Sequence, residues 1–153
     1  MRVGINAHKL SFEPGFRQAG TSRYIEALLR ELPSVAESDD IIAYTGAVPR
    51  DWLEPFPDSI RWRHARFPTG WPPARILWEQ SAGLGLGLRD RLDVLHCPLN
   101  IAPALPGAPT VVTVHDIAFE RFPDHYPAGQ RRYLSTMTRL SARRAAEVIA
   151  VSN

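Results

Sequence analysis

The chain has 153 residues, of which 44% are hydrophobic and 22% are charged, and its formal net charge at pH 7 is +2. This composition excludes a disordered chain, and so small a net charge gives no support for a nucleic-acid partner. The single cysteine, Cys97, excludes an intrachain disulfide, and the lack of any apolar run of roughly 18 residues predicts a soluble intracellular protein, not a membrane-spanning one.

The first half of the chain begins with an apolar strand and continues into an amphipathic helix. Strands are predicted over residues 2–7 and 41–45, where apolar residues are concentrated. Between them, apolar residues recur at helical spacing, which predicts a helix that Thr21 or Ser22 caps and Pro33 ends. The polar residues between the first strand and this helix predict a loop.

The second half continues the alternation of short strands and helices. The further predicted strands cover residues 59–65, 93–98, 110–114 and 147–152, and the further predicted helices cover residues 74–82 and 128–146. His96 and Cys97 are adjacent within one strand and are not at metal-ligand spacing, so we expect both to be core residues and expect no metal site. The alternation predicts a single α/β domain over residues 1–153, with a Rossmann-like, doubly wound parallel sheet.

The strand from Thr110 to Val114 is the one most directly connected with function. Its apolar run is nearly continuous and rich in β-branched residues, as in a parallel strand that is covered on both faces. The run stops at His115 and Asp116, two ionisable residues at the predicted carboxyl end of the strand. Ligands of open α/β sheets bind outside the carboxyl ends of the strands, so this pair is the first candidate for chemistry.

Several other stretches of the sequence form an ordered set of motifs together with the strand that ends at His115. They are the opening strand with Asn6-Ala7, the loop–helix junction at residues 19–24, the segment 113–119 with Arg121-Phe122-Pro123 behind it, and the closing segment 141–152. In this order and spacing, the chain resembles the amino-terminal half of a group 1 (family 4) retaining glycosyltransferase of the GT-B fold. Residues 93–98 are similar to the strand that precedes a proline-rich turn in that family, so the resemblance spans nearly the whole chain.

The resemblance implies one half of a two-domain enzyme. In the family, the amino-terminal domain mainly holds the acceptor, and a second domain holds the nucleotide-sugar donor through an acidic motif that nothing in this sequence matches. The chain stops just after a predicted strand, as expected for a cut at an interdomain hinge. We therefore expect an acceptor-binding domain that is inactive alone, from a hexosyltransferase that works with retention and without a metal or other cofactor. The alternative is a non-catalytic Rossmann-like binding or interaction module.

The resemblance also implies roles for the strand-end pair. His115 would contact the transferred sugar near its anomeric centre, and a neutral imidazole could donate a hydrogen bond to a sugar hydroxyl. The alternative for His115 is a histidine whose hydrogen bonds are satisfied within the core. Asp116 would either bind an acceptor hydroxyl or cap the turn that follows it.

The loop–helix junction supplies the remaining candidate residues. Gly20 and Thr21 lie where helix amino-terminal N–H groups favour a phosphate, although a simple helix start explains them equally well. Arg23 either pairs with an anionic acceptor or lies on a solvated face, and the solvated face is favoured. The resemblance further implies substrate contacts for Asn6 and Asn100.

The expected partners follow from the same resemblance. They are a carbohydrate or glycolipid acceptor and, through the missing domain, a nucleotide-sugar donor, with self-association of the isolated domain through exposed apolar residues. Aromatic and basic residues interleave over residues 61–67 and on to Trp71, and this segment either rims an acceptor pocket, touches an anionic membrane surface or contributes to the core. The core interpretation is favoured for Trp62. We expect a cytoplasmic location, with peripheral membrane contact if the acceptor is a lipid.

Overall fold

The computed structural model describes residues 1–11, 20–46, 48–64, 76, 80 and 87–151. Apart from Ile76 and Gln80, which are helical, the helix predicted over residues 74–82 lies outside the described residues, as do most of the loop before the first helix and Trp71. What is described contains a sheet, the helices that cover it and the loops at both of its ends.

A six-stranded parallel sheet forms the centre of the described structure. Its strands are β1 (Arg2–Asn6), β2 (Asp40–Thr45), β3 (Arg61–His64), β4 (Val94–Cys97), β5 (Thr110–Val114) and β6 (Glu147–Ala150). Their order in the sheet is β3-β2-β1-β4-β5-β6, and every neighbouring pair is parallel. The predicted α/β class with a doubly wound parallel sheet is confirmed, and the order reverses between β1 and β4, where such sheets bind ligands.

The structure contains the helices predicted from Thr21 and from Ala128, with different ends for the first, and a short helix that was not predicted from the sequence. They are α1 (Thr21–Val35), α2 (Ala118–Arg121) and α3 (Ala128–Arg144). Gly20 occupies the N-cap of α1 without a side-chain bond, and Ser22 is used differently: its hydroxyl donates to the carbonyl of Ser11 at 3.0 Å and accepts from the N–H of Ser11 at 2.9 Å. The predicted cap was wrong because Ser22 ties the preceding loop to the helix. Pro33 lies inside the last turn, two residues before the end.

Two hydrophobic clusters cover the two faces of the sheet. Alternate residues of β2 divide between them, since Ile41 belongs to the first cluster and Ile42 to the second. Ile25 and Leu29 of α1 complete the first cluster, and the partly buried Trp62 packs against it, which confirms its core assignment. Buried residues of β2, β4, β5 and the loops before and after β4 form the second cluster. His96 and Cys97 are both buried, as predicted for core residues.

β6 at the sheet edge is exposed along its whole length. Val148 is 45% exposed and Ile149 is 41% exposed, although parallel strands are normally covered on both faces. Self-association through this surface stays a prediction. None of the helices in the described part of the chain has the length and apolar character that a bilayer span requires.

Two small polar residues on the buried side of α3 provide a matched test of hydrogen bonding in the core. The hydroxyl of Thr138 has no hydrogen-bond partner among the described residues, whereas the hydroxyl of Ser141 accepts the N–H of Ala102 at 2.9 Å. Thr138→Val is expected to raise the free energy of unfolding by about 1 kcal/mol, because it removes a buried unpaired hydroxyl at nearly constant volume. Ser141→Ala is expected to lower it by about 1–3 kcal/mol, because an N–H is left unpaired.

Urea unfolding of the two variants and the parent chain at one temperature measures both effects. Helix propensity hardly separates valine from threonine and favours alanine over serine, so it does not account for the opposite signs expected. A loss of stability in Thr138→Val would contradict the absence of a partner for that hydroxyl.

Candidate functional site

The loops that follow β1, β4 and β5 meet at the carboxyl edge of the sheet. β4 pairs with β1 on one side and with β5 on the other, so the residues after these strands are brought together. Asn100 follows β4, and His115 and Asp116 follow β5. This is the point at which the sheet order reverses, and it places the predicted strand-end pair in the expected crevice.

Asn100 fixes the backbone at the end of β5. Its side-chain oxygen accepts the N–H of His115 at 3.0 Å, and its side-chain nitrogen donates to the carbonyl of Asp116 at 2.7 Å. A single amide side chain thus satisfies the backbone groups of two consecutive residues that have left the strand ladder. Its first role is to hold the strand end, and one N–H and one lone pair remain for a ligand.

The imidazole of His115 is oriented by a backbone carbonyl. Its Nε2 lies 3.0 Å from the carbonyl oxygen of Pro98, and because a carbonyl can only accept, Nε2 carries the hydrogen and donates it. In the neutral ring, Nδ1 is then an acceptor, and no described residue contacts it by a hydrogen bond. With Nε2 engaged in this way, the ring nitrogen that a neutral His115 has left for a ligand is an acceptor, and not the donor that the sequence led us to expect.

Asp116 caps the turn after β5. Its Oδ1 accepts the N–H of Ala118 at 2.9 Å, at the start of the short helix α2. The capping role, one of the two alternatives raised by the sequence, is confirmed. The residue is nevertheless exposed and lies on the cleft described below, so its carboxylate can accept a further hydrogen bond.

A buried polar chain lies behind the imidazole. The hydroxyl of Thr113 lies 2.9 Å from Nε2 of His96 and 3.3 Å from the hydroxyl of Tyr24. The ring of Tyr24 stands edge-on to the imidazole of His115, with centroids 4.9 Å apart and planes at 87°. Burial lowers the pKa of His96 to about 4, so this histidine is neutral at pH 7.

Asn100, His115 and Asp116 border a cleft of about 240 Å³ between the sheet edge and α3. Its polar lining consists of Lys9, Thr21, Asn100, His115 and Asp116. Its aromatic lining consists of Phe119, Tyr126 and Tyr133. A volume below the roughly 300–1,000 Å³ of pockets for drug-sized ligands suits a small group such as one sugar ring.

The comparisons with known proteins agree with this geometry. Residues 19–153 match the family model described as Glycosyltransferase Family 4. The chain belongs to glycosyltransferase family 4. A search of curated proteins finds no match to the chain. Membership indicates a glycosyltransferase-type function, and with it a sugar acceptor and a nucleotide-sugar donor in general.

Within this family 4 domain, the other predicted site residues divide between the cleft and its surroundings. Thr21 lines the cleft, and Gly20 beside it has φ of +38°, a left-handed conformation that suits glycine. Arg23 is exposed, in agreement with the favoured solvated face. Asn6 is buried outside the lining of the cleft, where its Oδ1 lies 2.6 Å from Nδ1 of His8.

The family 4 cleft also contains residues that sequence reasoning did not select. Tyr133 was placed on the inward face of the last helix, but only as a packing residue, and Lys9 and Tyr126 were not selected at all. Lys9 is the only lysine of the chain, but its sequence neighbourhood does not indicate that it lies at the cleft. Tyr126 follows a short 3₁₀ turn (Pro123–His125), and nothing local in the sequence directs it to the cleft.

Among the described residues, no group of three or more His, Cys, Asp or Glu side chains lies close enough together to hold a metal ion. The polar groups at the cleft are instead an amide, an imidazole, a carboxylate and an ammonium, a set suited to hydrogen bonding with hydroxyl groups.

Proposed function

We propose that this chain is the acceptor-side domain of a GT-B hexosyltransferase, which moves a sugar from a nucleotide-sugar donor to a carbohydrate or glycolipid acceptor with retention. One observation carries the proposal. His115, Asp116 and Asn100 meet at the carboxyl edge of a parallel sheet, on a cleft of about 240 Å³. Family membership supports the transferase class, and the hydroxyl-binding character of the cleft supports a sugar as the occupant.

The chemistry proposed for the site is hydrogen bonding and electrostatic stabilisation. Nδ1 of His115 accepts a hydrogen bond from a hydroxyl of the transferred sugar, and the carboxylate of Asp116 accepts one from the acceptor. Because Asn100 and Pro98 hold the strand end and the imidazole, these acceptors are oriented before the ligand arrives. Such preorganised groups stabilise the charge that develops in an oxocarbenium-like transition state, and we propose that no metal takes part.

The donor side of the reaction is proposed to come from a second domain. The described cleft has acceptors and hydroxyl groups but one basic side chain, Lys9, to offset the charge of a diphosphate. A separate domain that binds the nucleotide would supply that charge and close the cleft. The chain by itself is therefore expected to bind sugars and not to transfer them. We place the reaction in the cytoplasm, at the inner membrane face if the acceptor is a glycolipid.

The first test is sugar binding by this chain, followed by chemical-shift mapping. Methyl glycosides of glucose, galactose and mannose are titrated into the isotope-labelled protein. Saturable shifts are expected at Thr21, Asn100 and His115, and none at Arg91 at the opposite end of the sheet. Loss of one hydrogen bond in His115→Ala is expected to weaken binding about tenfold.

His125→Ala is the matched control, because this histidine is exposed and does not line the cleft. It is expected to bind the glycosides like the parent chain. If no glycoside shifts the cleft residues, or if His115→Ala binds as tightly as His125→Ala, the proposed role of the cleft is wrong.

Transfer itself is tested in a protein that joins this domain to its donor domain. His115→Ala is expected to lower kcat about 100-fold, as loss of preorganised electrostatic stabilisation does in other enzymes. The anomeric configuration of the product, read by NMR, tests retention. Sugar binding by the chain without any transfer by the joined protein would select the non-catalytic binding module instead.

A further inference from the structure

The His115 imidazole has contacts that fix its position and others that fix its tilt. The hydrogen bond from Nε2 to the Pro98 carbonyl determines which ring nitrogen is left for a ligand. One hydrogen bond along the edge of the ring does not determine the tilt of the ring plane. The Tyr24 ring packs edge-on against it at 87°, and this contact sets the tilt and therefore the direction of the Nδ1 lone pair.

The hydroxyl of Tyr24 is in turn held by hydrogen bonds. It lies 3.3 Å from Oγ1 of Thr113, which itself lies 2.9 Å from Nε2 of His96. A threonine hydroxyl has one hydrogen to donate and can accept others, so it can serve both neighbours at once. Thr113 is fully buried, and a hydroxyl in such a place is kept only where it is hydrogen-bonded.

The imidazole of His96, which holds Tyr24 through Thr113, is uncharged at neutral pH. Burial lowers the pKa of His96 to about 4, so the ring stays neutral above that value and its bond to Thr113 joins two neutral groups. Tyr24 comes from α1, whereas Thr113 and His96 come from neighbouring strands. The contact to His115 therefore connects the helix, the sheet interior and the strand end.

We propose that Tyr24 is a positioning residue for His115, held in place by the hydroxyl of Thr113 and, through it, by His96. The proposal rests on the proposed function, because it directs Nδ1 towards the hydroxyl of the bound sugar. Tyr24 does not line the cleft, so it acts through the imidazole and not on the ligand.

The test compares loss of the whole Tyr24 ring with loss of its hydroxyl alone. The readout is the tautomer and the mobility of the His115 imidazole in the chain without a bound ligand. Nitrogen-15 shifts of His115 give the fraction of the Nε2–H tautomer, and carbon-13 relaxation of the ring gives its mobility. The parent chain is expected to show one tautomer and a rigid ring. Tyr24→Leu is expected to keep the Nε2–H tautomer, which the Pro98 carbonyl fixes, but to show a mobile ring, whereas Tyr24→Phe, which keeps the edge contact, retains most of the order.

Two further variants complete the series. Thr113→Val removes the hydroxyl that anchors Tyr24 and is expected to give an imidazole of intermediate mobility. Tyr44→Phe is the control for a structural loss, because its hydroxyl donates to Asp90 at 2.8 Å, away from this chain of contacts. It is expected to leave the tautomer and mobility of His115 unchanged. A rigid imidazole in folded Tyr24→Leu overturns the proposal.

Glycoside binding then distinguishes this proposal from the function on which it rests. Affinity is expected to fall about fivefold in Tyr24→Leu and less than twofold in Tyr24→Phe. If the imidazole becomes mobile while affinity stays unchanged, and His115→Ala still loses affinity, the positioning role is overturned. If His115→Ala itself binds normally, the proposed function is overturned, and the relaxation data alone decide whether Tyr24 orients the ring.

Discussion

The free energy of unfolding is expected to fall by about 2 kcal/mol between pH 7 and pH 5 through the titration of His96. Burial lowers the folded-state pKa of this histidine from 6.5 to about 4. Between these values the unfolded chain binds a proton that the folded chain does not, so protonation favours unfolding. The stability is complete above about pH 6.5 and is lost as the pH falls towards 4.

Urea unfolding at half-unit steps from pH 7 to pH 5 measures the slope. His96→Gln is the control, since an amide can still reach Thr113 but does not titrate in this range. The variant is expected to be less stable at pH 7 but to lose about 2 kcal/mol less on acidification. Subtracting its curve removes contributions from the other histidines. Parallel curves for the two proteins would show that His96 does not carry the pH dependence.

Gly87→Ala, in the helical turn that residues 87–90 form, is expected to lower the free energy of unfolding by about 2 kcal/mol. A Cβ atom added at this position would lie 2.8 Å from Cα and 2.9 Å from the carbonyl carbon of Gly107. Both contacts are to backbone, which cannot rotate away as a side chain can. The strain of overpacking, about 1–3 kcal/mol, exceeds the gain in helix propensity when alanine replaces glycine.

Gly129→Ala, at another glycine within a helix, is expected to have the opposite effect on the free energy of unfolding. Nothing lies within 4 Å of the Cβ that would be added there, in the first turn of α3. The substitution is expected to raise the free energy of unfolding by about 0.5–1 kcal/mol, because alanine loses less backbone entropy on folding. Thermal and urea unfolding of both variants test the pair. If Gly87→Ala stabilised the protein, the backbones at Gly87 and Gly107 would not be in close contact in solution.

The strands could be predicted because their cause is local. The predicted strand from Thr110 to Val114 has the bounds of β5, since continuous apolar runs bounded by proline or polar residues leave few alternatives. The start of α1 was also predicted, but its cap was not. The partner of Ser22 is the backbone of Ser11, and a contact across a folded-back loop has no counterpart in the spacing of residues along a helix.

The candidate site likewise combines residues that the sequence analysis selected with contacts that only the fold creates. His115 and Asp116 were selected because ionisable residues ended an apolar strand, and Asp116 proved to cap the next turn. The hydrogen bond that leaves the His115 ring with one acceptor nitrogen is donated by Nε2 to the carbonyl of Pro98, at the end of a different strand. The bridge made by Asn100 likewise requires β4 and β5 to be neighbours.

The sequence by itself determined the α/β class, the place of the strand end that carries His115, and the resemblance to the family to which the chain belongs. Periodicity and strand ends are properties of neighbouring residues, so they can be recognised in a sequence without knowing the order of the strands in the sheet. Only the tertiary structure decided that Nε2 of His115 donates to Pro98 and that Tyr24, Thr113 and His96 stand behind the ring. Those contacts join residues that the sheet order brings together, and no local pattern specifies that order.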